Sequence, residues 1–244
     1  MRTSRVHERT FGATAWYFVD ESLLDLENEQ LEQFFDREYI HKNACNLKEC
    51  GGRGQTLLYS LQGRDLILRH YLRGGLWGKV MGDKYFALTG DSERAFLELE
   101  LLDLLYEENL PVPKPFIARQ QRSGAFLRND IVLYQLKDSQ DLFYLLQKRS
   151  LTQEELVKIG KTLKRFFEHD VVHTDLNIHN IMLSQSGEVY LIDFDKCRQT
   201  LLRQAHKDAM LSRLNRSFLK EKKKNPNLYF KESDFSLIKD MALS

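Results

Sequence analysis

The stretch "VVHTDLNIHNIMLSQSGEVYLIDFDKC", residues 171–197, sets His173 and His179 among Asp175, Asn177, Asn180, Asp193 and Asp195, around alternating apolar runs. Imidazoles combined with thiolates would build a four-coordinate zinc centre. Carboxylate and amide oxygens would instead hold Mg²⁺, which keeps several waters and takes few protein ligands. A solvated surface hairpin is the third reading. Cys45, Cys50 and Cys197 form no C-x-x-C pair and offer the histidines no four-ligand set, which speaks against zinc. A solvated turn does not need Asp and Asn at both strand ends. Asp175 lies five residues before Asn180, on a loop leading into "IML", and the turn "SQSG" returns the chain as "VYLID". Asp193 thereby comes back to the end of the hairpin where Asn180 sits. Those two residues can share a hard cation, with Asp175 just outside them. A metal and a carboxylate that receives a hydroxyl's proton are the two needs of phosphoryl transfer from ATP.

Such a hairpin needs elements to hold it. The apolar spacing of Leu26, Leu31, Phe34 and Phe35 predicts a helix over 25–40. "LKECGGRGQTLLYSLQGRDLILRHYL" reads as strand, Gly-rich turn, strand, tight Gln62-Gly63 turn and strand. A helix is expected over 91–108, with Asp91 and Ser92 as cap candidates, and the prolines of "LPVPKPF" stop it. Residues 125–136 read as a strand pair, 141–149 and 152–170 as amphipathic helices, and 200–224 as a basic amphipathic helix or helix pair. The expectation is an α+β chain forming one domain over 1–244. Its lobes would be a β-rich one with one main helix (about 1–136), a hinge (about 137–140) and a mostly α one (about 141–244).

"HTDLNIHN" resembles the catalytic loop H-R-D-L-x-x-x-N of protein kinase-like folds, and "DFD" resembles D-F-G. "GGRGQT", "ILRHYLRGGLWGK", "LPVPKP", "HTDLNIHNIML" and "LIDFDKCR" occur in order and together resemble the lipopolysaccharide kinases, over about residues 15–220. Within that family the likeness points to the branch acting on 3-deoxy-D-manno-octulosonic acid (Kdo). The resemblance implies a protein kinase-like two-lobe fold, ATP with Mg²⁺, and a Kdo sugar on lipid A precursor as acceptor. It implies Asp175 as general base, with Asn180 and Asp193 as metal ligands. Gly51, Gly52 and Gly54 would lie over the phosphates, although a plain hairpin turn accounts for them equally. Arg69 would stand where kinases place the lysine for the α and β phosphates. Glu98 is its expected partner; Glu100 lies about 200° around the helix from Glu98. His173 is expected to brace the backbone near the D-F-x segment. A heptose kinase of the same family and a nucleotide-binding scaffold without turnover are the alternatives.

Departures from the protein kinase pattern point away from a peptide acceptor. Thr174 replaces the arginine that pairs with a phosphorylated activation loop, so constitutive activity is expected. Asn177 replaces the lysine that neutralises the transferred phosphoryl. Asp195 replaces the glycine of D-F-G, which should disfavour large flips of this segment. No A-P-E segment follows. With 36 basic and 35 acidic residues the net charge is +1, which excludes a bulk nucleic-acid binder. The cysteine pattern and the lack of an apolar leader or a roughly 20-residue apolar run predict a cytoplasmic protein. Arg73, Lys79 and Lys84 with Leu76 and Trp77 suit either core packing or a loop facing an anionic glycolipid. Arg203, Arg213, Arg216, Lys220 and Lys222 to Lys224 suit either a solvated face or contact with anionic lipid or sugar carboxylate. Peripheral contact with the cytoplasmic side of the inner membrane follows as an expectation.

Overall fold

The computed structural model describes residues 5–50, 56–71, 85–86, 93–124 and 126–244. Gly51, Gly52, Gly54, the cap candidates Asp91 and Ser92, and the Arg73, Leu76, Trp77, Lys79 and Lys84 stretch lie outside the described residues. The chain divides into two compact units: Met1–Leu104 with Lys114–Gln135, and Leu105–Pro113 with Leu136–Ser244.

The first unit is built on an antiparallel sheet of β1 (His7–Phe11), β2 (Thr14–Phe18), β3 (Cys45–Cys50), β4 (Thr56–Leu61), β5 (Arg64–His70), β6 (Tyr85–Phe86), β7 (Pro115–Ser123) and β8 (Phe126–Tyr134). Its order is β1-β2-β7-β8-β5-β4-β3, with β6 on the same edge of β8 as β5. The Gln62-Gly63 turn forms as expected, both residues having positive φ, 51° and 75°, the requirement of a two-residue turn matched to strand twist. Alternation along β4 buries Leu57, Tyr59 and Leu61 against Trp16, Phe18, Leu66, Leu68 and Val132.

Two sequence expectations fail here. The helix over 25–40 is two short helices, α1 (Asn28–Glu32) and α2 (Arg37–Asn43). The buried Tyr59 hydroxyl donates to Phe34 O at 2.7 Å, and the Asp36 carboxylate accepts from Glu38 N (2.9 Å) and Tyr39 N (3.2 Å). Tertiary contact and a new cap thus take the groups a continuous helix would have paired. The strand pair over 125–136 is the single strand β8, because the turn falls earlier, at Gly124 with φ +61°. β8 then pairs with β7 from Ser123↔Phe126 onwards.

Across three strands the register sets Arg119 of β7 opposite Asp130 of β8, and Asp130 opposite His70 of β5. Arg119 Nε donates to Asp130 Oδ2 at 3.1 Å, and His70 Nδ1 meets Asp130 Oδ1. Burial alone would raise the Asp130 carboxyl, but the hydrogen bond to His70 and the Arg119 charge hold it below the ordinary carboxylate range. Above this sheet runs α3 (Arg94–Glu107).

The second unit contains β9 (Ser139–Asp141), α4 (Leu142–Leu146), α5 (Gln153–Glu168), β10 (Val171–Val172), β11 (Ile181–Ser184), β12 (Val189–Leu191), β13 (Arg198–Gln199), α6 (Gln204–Lys224) and α7 (Glu232–Leu243). α5 starts at a capping box, in which Thr152 Oγ1 accepts from Glu155 N and Glu155 Oε2 accepts from Thr152 N. It buries Leu156, Ile159, Leu163, Phe166 and Phe167, the stripe its periodicity predicts. Strands β12, β11 and β9 form one small sheet, and β10 pairs with β13. Leu191 N donates to Pro111 O at 3.0 Å, so the proline-rich segment serves this unit.

Gly160 is where α7 meets α5. A Cβ there would collide with Met241 Cβ and stand 2.6 Å from Ile238 O, a backbone atom that cannot rotate away. Gly160→Val is therefore expected to lower unfolding stability by about 1–3 kcal/mol or more, read as a fall in the urea midpoint. An unchanged midpoint would contradict this packing.

Candidate active site

Chain geometry brings the oxygen ligands to one end of the β11–β12 hairpin. Ile181 pairs with Leu191, and Ile192 N donates to Asn180 O at 3.0 Å. Asn180 and Asp193 flank that last hydrogen bond at the open end. Asp193 has φ +66°, a left-handed backbone that Asp tolerates better than most residues. Asp195 is not among the positive-φ residues, whereas Lys196 is, at 60°. The left-handed conformations of this segment thus fall on either side of the position where D-F-G carries its glycine.

Asn180 is buried, and its Nδ2 donates to Asp175 O at 2.9 Å. That leaves the amide oxygen as the atom to offer a cation. With Asp193 it makes a pair of hard oxygen donors, which fits an ion that retains water. Among the described residues no group of three or more His, Cys, Asp or Glu is placed to hold a metal ion. A cation at Asn180 and Asp193 would complete its shell with nucleotide oxygens and water.

Asp175 is exposed, and several groups orient its carboxylate. Asn177 Nδ2 donates to Asp175 Oδ2 at 3.2 Å and to Asp175 O at 2.9 Å, while Asn177 Oδ1 accepts from His179 N at 2.8 Å. The residue standing in place of the kinase lysine is therefore a brace for the loop. A cation comes instead from α6: Arg213 Nη1 donates to Asp175 Oδ1 at 3.3 Å.

His173 sits beneath the loop, 2% exposed. Asp175 N donates to its Nδ1 at 3.3 Å, so Nδ1 is the unprotonated nitrogen and Nε2–H donates to Ile192 O at 3.1 Å. Its ring stands edge-on to Phe194, centroids 5.0 Å apart, and Phe194 also meets Phe166 of α5. Thr174 Oγ1 donates to Asp195 O at 3.2 Å. One imidazole and one hydroxyl thus tie the loop bearing Asp175 to the D-F-D segment, the bracing position expected for His173. Burial pushes the His173 pKa down, against the hydrogen bond to Ile192 and the nearby carboxylates. The His179 ring packs against Phe143, centroids 4.8 Å apart.

In the first unit, Arg69 Nη1 donates to Glu98 Oε1 at 3.0 Å, and the Tyr71 hydroxyl donates to Glu98 Oε2. Glu98 is 2% exposed. The structure therefore gives Arg69 the partner expected for it, Glu98 on α3. Tyr71 was not singled out, although it lies two residues beyond Arg69 and so on the same face of an extended strand. Arg213 was singled out only within a basic face open to lipid or sugar carboxylate, not as a partner of Asp175, and Ser217 was not singled out. Ser217 Oγ accepts from Ile178 N at 3.1 Å and donates to Leu214 O at 2.7 Å, which docks the loop bearing Asp175 on α6. Their signal was the i, i+3, i+4, i+7 spacing of Arg213, Arg216, Ser217 and Lys220.

The profile of the lipopolysaccharide kinase (Kdo/WaaP) family matches residues 37–237. A 3-deoxy-D-manno-octulosonic acid kinase of Haemophilus influenzae is 40% identical over 203 residues, spanning 79% of this chain and 83% of the relative. Proteins of the same name from Vibrio cholerae (36% over 206 residues, 84% and 85% of the two chains) and Vibrio parahaemolyticus (35% over 239 residues, 97% and 96%) are also similar.

Because the folded-state pKa of His173 lies below its ordinary 6.5, the unfolded chain binds the extra proton first on acidification. The contribution of the neutral, buried imidazole is complete above the unfolded value and is lost as pH falls from there toward the folded one. Stability should decline over that window by at most about 1.4 kcal/mol per pH unit from this group. His173→Gln should be less stable at neutral pH by about 1–3 kcal/mol and should lack that part of the slope. Urea titrations at a series of pH values measure both; equal slopes for the two proteins would refute the assignment.

Proposed function

The chain belongs to the lipopolysaccharide kinase (Kdo/WaaP) family, and on that premise we propose that it is a Kdo kinase. It transfers the γ-phosphate of ATP to a hydroxyl of a Kdo residue on lipid A precursor, in assembly of the lipopolysaccharide inner core. The observation that carries this reading is the catalytic loop. Asp175 is exposed, and Asn177 and Arg213 orient its carboxylate, in a chain whose similar proteins bear that name over most of their length.

In the proposed mechanism Asp175 accepts the proton of the acceptor hydroxyl as it attacks. Asn180 and Asp193 would hold Mg²⁺, which when bound neutralises charge on the phosphates. The brace from His173 to Ile192 keeps the segment bearing Asp193 in register with the loop bearing Asp175. In the first unit we assign Arg69 to the α and β phosphates, with Glu98 and Tyr71 holding its guanidinium. Arg presents a planar fork where the common lysine presents a point charge, so it would engage two oxygens at once. Gly51, Gly52 and Gly54 are assigned to the loop covering the phosphates. Among the described residues no helix is long and apolar enough to cross a membrane. The lipid-borne acceptor supports peripheral contact with the cytoplasmic face of the inner membrane.

Asp175→Ala should lower phosphate transfer by about 10²-fold or more, the usual contribution of a general base, with the fold retained. The assay supplies labelled ATP with Kdo-lipid A precursor and a heptosylated acceptor in parallel, and product mass identifies the sugar that gains phosphate. Label on heptose alone would overturn the Kdo assignment, and activity within a few-fold of wild type would overturn the role of Asp175. For the membrane contact, the protein should float with anionic phospholipid vesicles and stay behind with neutral ones; equal distribution would count against it.

A further inference from the structure

α6 presents one polar stripe to the catalytic loop. Arg213, Arg216, Ser217, Lys220 and Glu221 follow each other at helical spacing. Together with Asp175, Asn177 and His179 they line a groove of about 380 Å³, within the roughly 300–1,000 Å³ typical of small-ligand sites. Asp175 stands in it, so whatever occupies the groove touches the general base.

The electrostatics of this groove are not those of a balanced surface. Three cations, Arg213, Arg216 and Lys220, face two carboxylates, Asp175 and Glu221. Glu221 is already answered by Lys224, whose Nζ lies 2.7 Å from Glu221 Oε1 and holds that carboxyl below its ordinary range. Arg213 is engaged by Asp175. Arg216 spends one donor on Ser212 Oγ at 2.9 Å, and Lys220 acts on Glu221 through space, behind the closer Lys224. With Lys224 included, four cations share two carboxylates, so positive charge is in excess along the turn of helix that carries Arg216 and Lys220. Ser217 pins the stripe in that place, since its hydroxyl is shared between Ile178 N of the loop and Leu214 O of the helix. A solvated lysine-rich face would need neither the groove nor the pin.

Resting on the Kdo kinase reading, we propose that this groove is the acceptor subsite, in which Arg216 and Lys220 bind an oxyanion of the acceptor and so set the sugar hydroxyl against Asp175. Kdo is a sugar acid, so its carboxylate sits on the same ring as the hydroxyls that can be phosphorylated. A phosphate of the lipid part presents the same chemistry. A planar guanidinium takes either oxyanion through two parallel hydrogen bonds, and the neighbouring ammonium adds a mobile point charge. The arrangement also gives a reason for the pairing of Arg213 with Asp175. Without a cation on Asp175, an incoming anion would meet an unscreened carboxylate.

The test is steady-state phosphorylation by wild type, the double variant Arg216→Gln/Lys220→Gln, and Lys161→Gln as a charge control on α5. Each is given three acceptors: Kdo-lipid A precursor, the same compound with the Kdo carboxylate methyl-esterified, and the same compound with its lipid phosphates removed. The double variant should raise the acceptor KM by about tenfold or more, as expected for lost hydrogen bonds to a charged group. Its KM for ATP and its thermal midpoint should match wild type, and Lys161→Gln should behave as wild type throughout. If esterification abolishes the difference between wild type and double variant, the bound oxyanion is the carboxylate; if dephosphorylation does, it is a lipid phosphate. A double variant with a wild-type acceptor KM overturns the subsite while leaving the kinase reading intact. Wild type that transfers no phosphate to any Kdo acceptor overturns the reading, and the subsite with it.

Discussion

The buried imidazole of His173 is the interaction on which the site depends. It receives a hydrogen bond from Asp175 N and gives one to Ile192 O, so a single neutral ring measures the separation between the loop that carries Asp175 and the strand end that carries Asp193. The ring can do this only in one tautomer, and burial, with Phe194 against the ring, favours its neutral form. Protonation would place a donor where Asp175 N needs an acceptor. The hydrophobic contacts of Phe194 with Phe166 extend the constraint into α5, which is in turn locked by the close approach of α7 at Gly160. Chemistry at the surface is therefore held by packing two layers below it.

In the first unit an ion pair has the corresponding part. Glu98 is almost fully buried, and a carboxylate there would be costly without partners. Arg69 and the Tyr71 hydroxyl supply them. The Arg69 guanidinium is consequently held in a fixed orientation by the carboxylate it neutralises. The sheet beneath uses a similar device in the Arg119–Asp130–His70 row, where three adjacent strands are joined by side chains as well as by their backbone ladder.

The departures from the protein kinase pattern acquire physical meaning in the folded chain. Asn177 cannot neutralise a phosphoryl group as a lysine would, but it holds the carboxylate of Asp175 and the backbone of His179 at once. The positive charge that the loop lacks is provided by Arg213 of α6. Thr174 is bound to the D-F-D segment through Asp195 O, so the position that anchors a phosphorylated loop in many protein kinases is here an internal tether. A cationic helix beside Asp175 suits the anionic acceptor of the proposed reaction.

Much of this was legible in the residues themselves. Loop motifs, the Gln62-Gly63 turn and the amphipathic stripe of α5 are local patterns, set by spacing and turn chemistry within a few residues, and they mark Asp175, Asn180 and Asp193 directly. Sequence periodicity misjudged 25–40, because the hydroxyl that takes Phe34 O belongs to Tyr59, on another element. It misjudged 125–136 because the choice between a turn at Gly124 and one inside the run is made by pairing with β7. Arg213 and Ser217 lie more than 30 residues from Asp175, and a charged helix read alone is the same whether it faces solvent or a catalytic loop. By itself, then, the sequence determined the family and marked the candidate residues. Only the tertiary structure decided which cation stands beside Asp175, which tautomer His173 adopts and where the groove lies, because each depends on a contact between distant segments that no local pattern encodes.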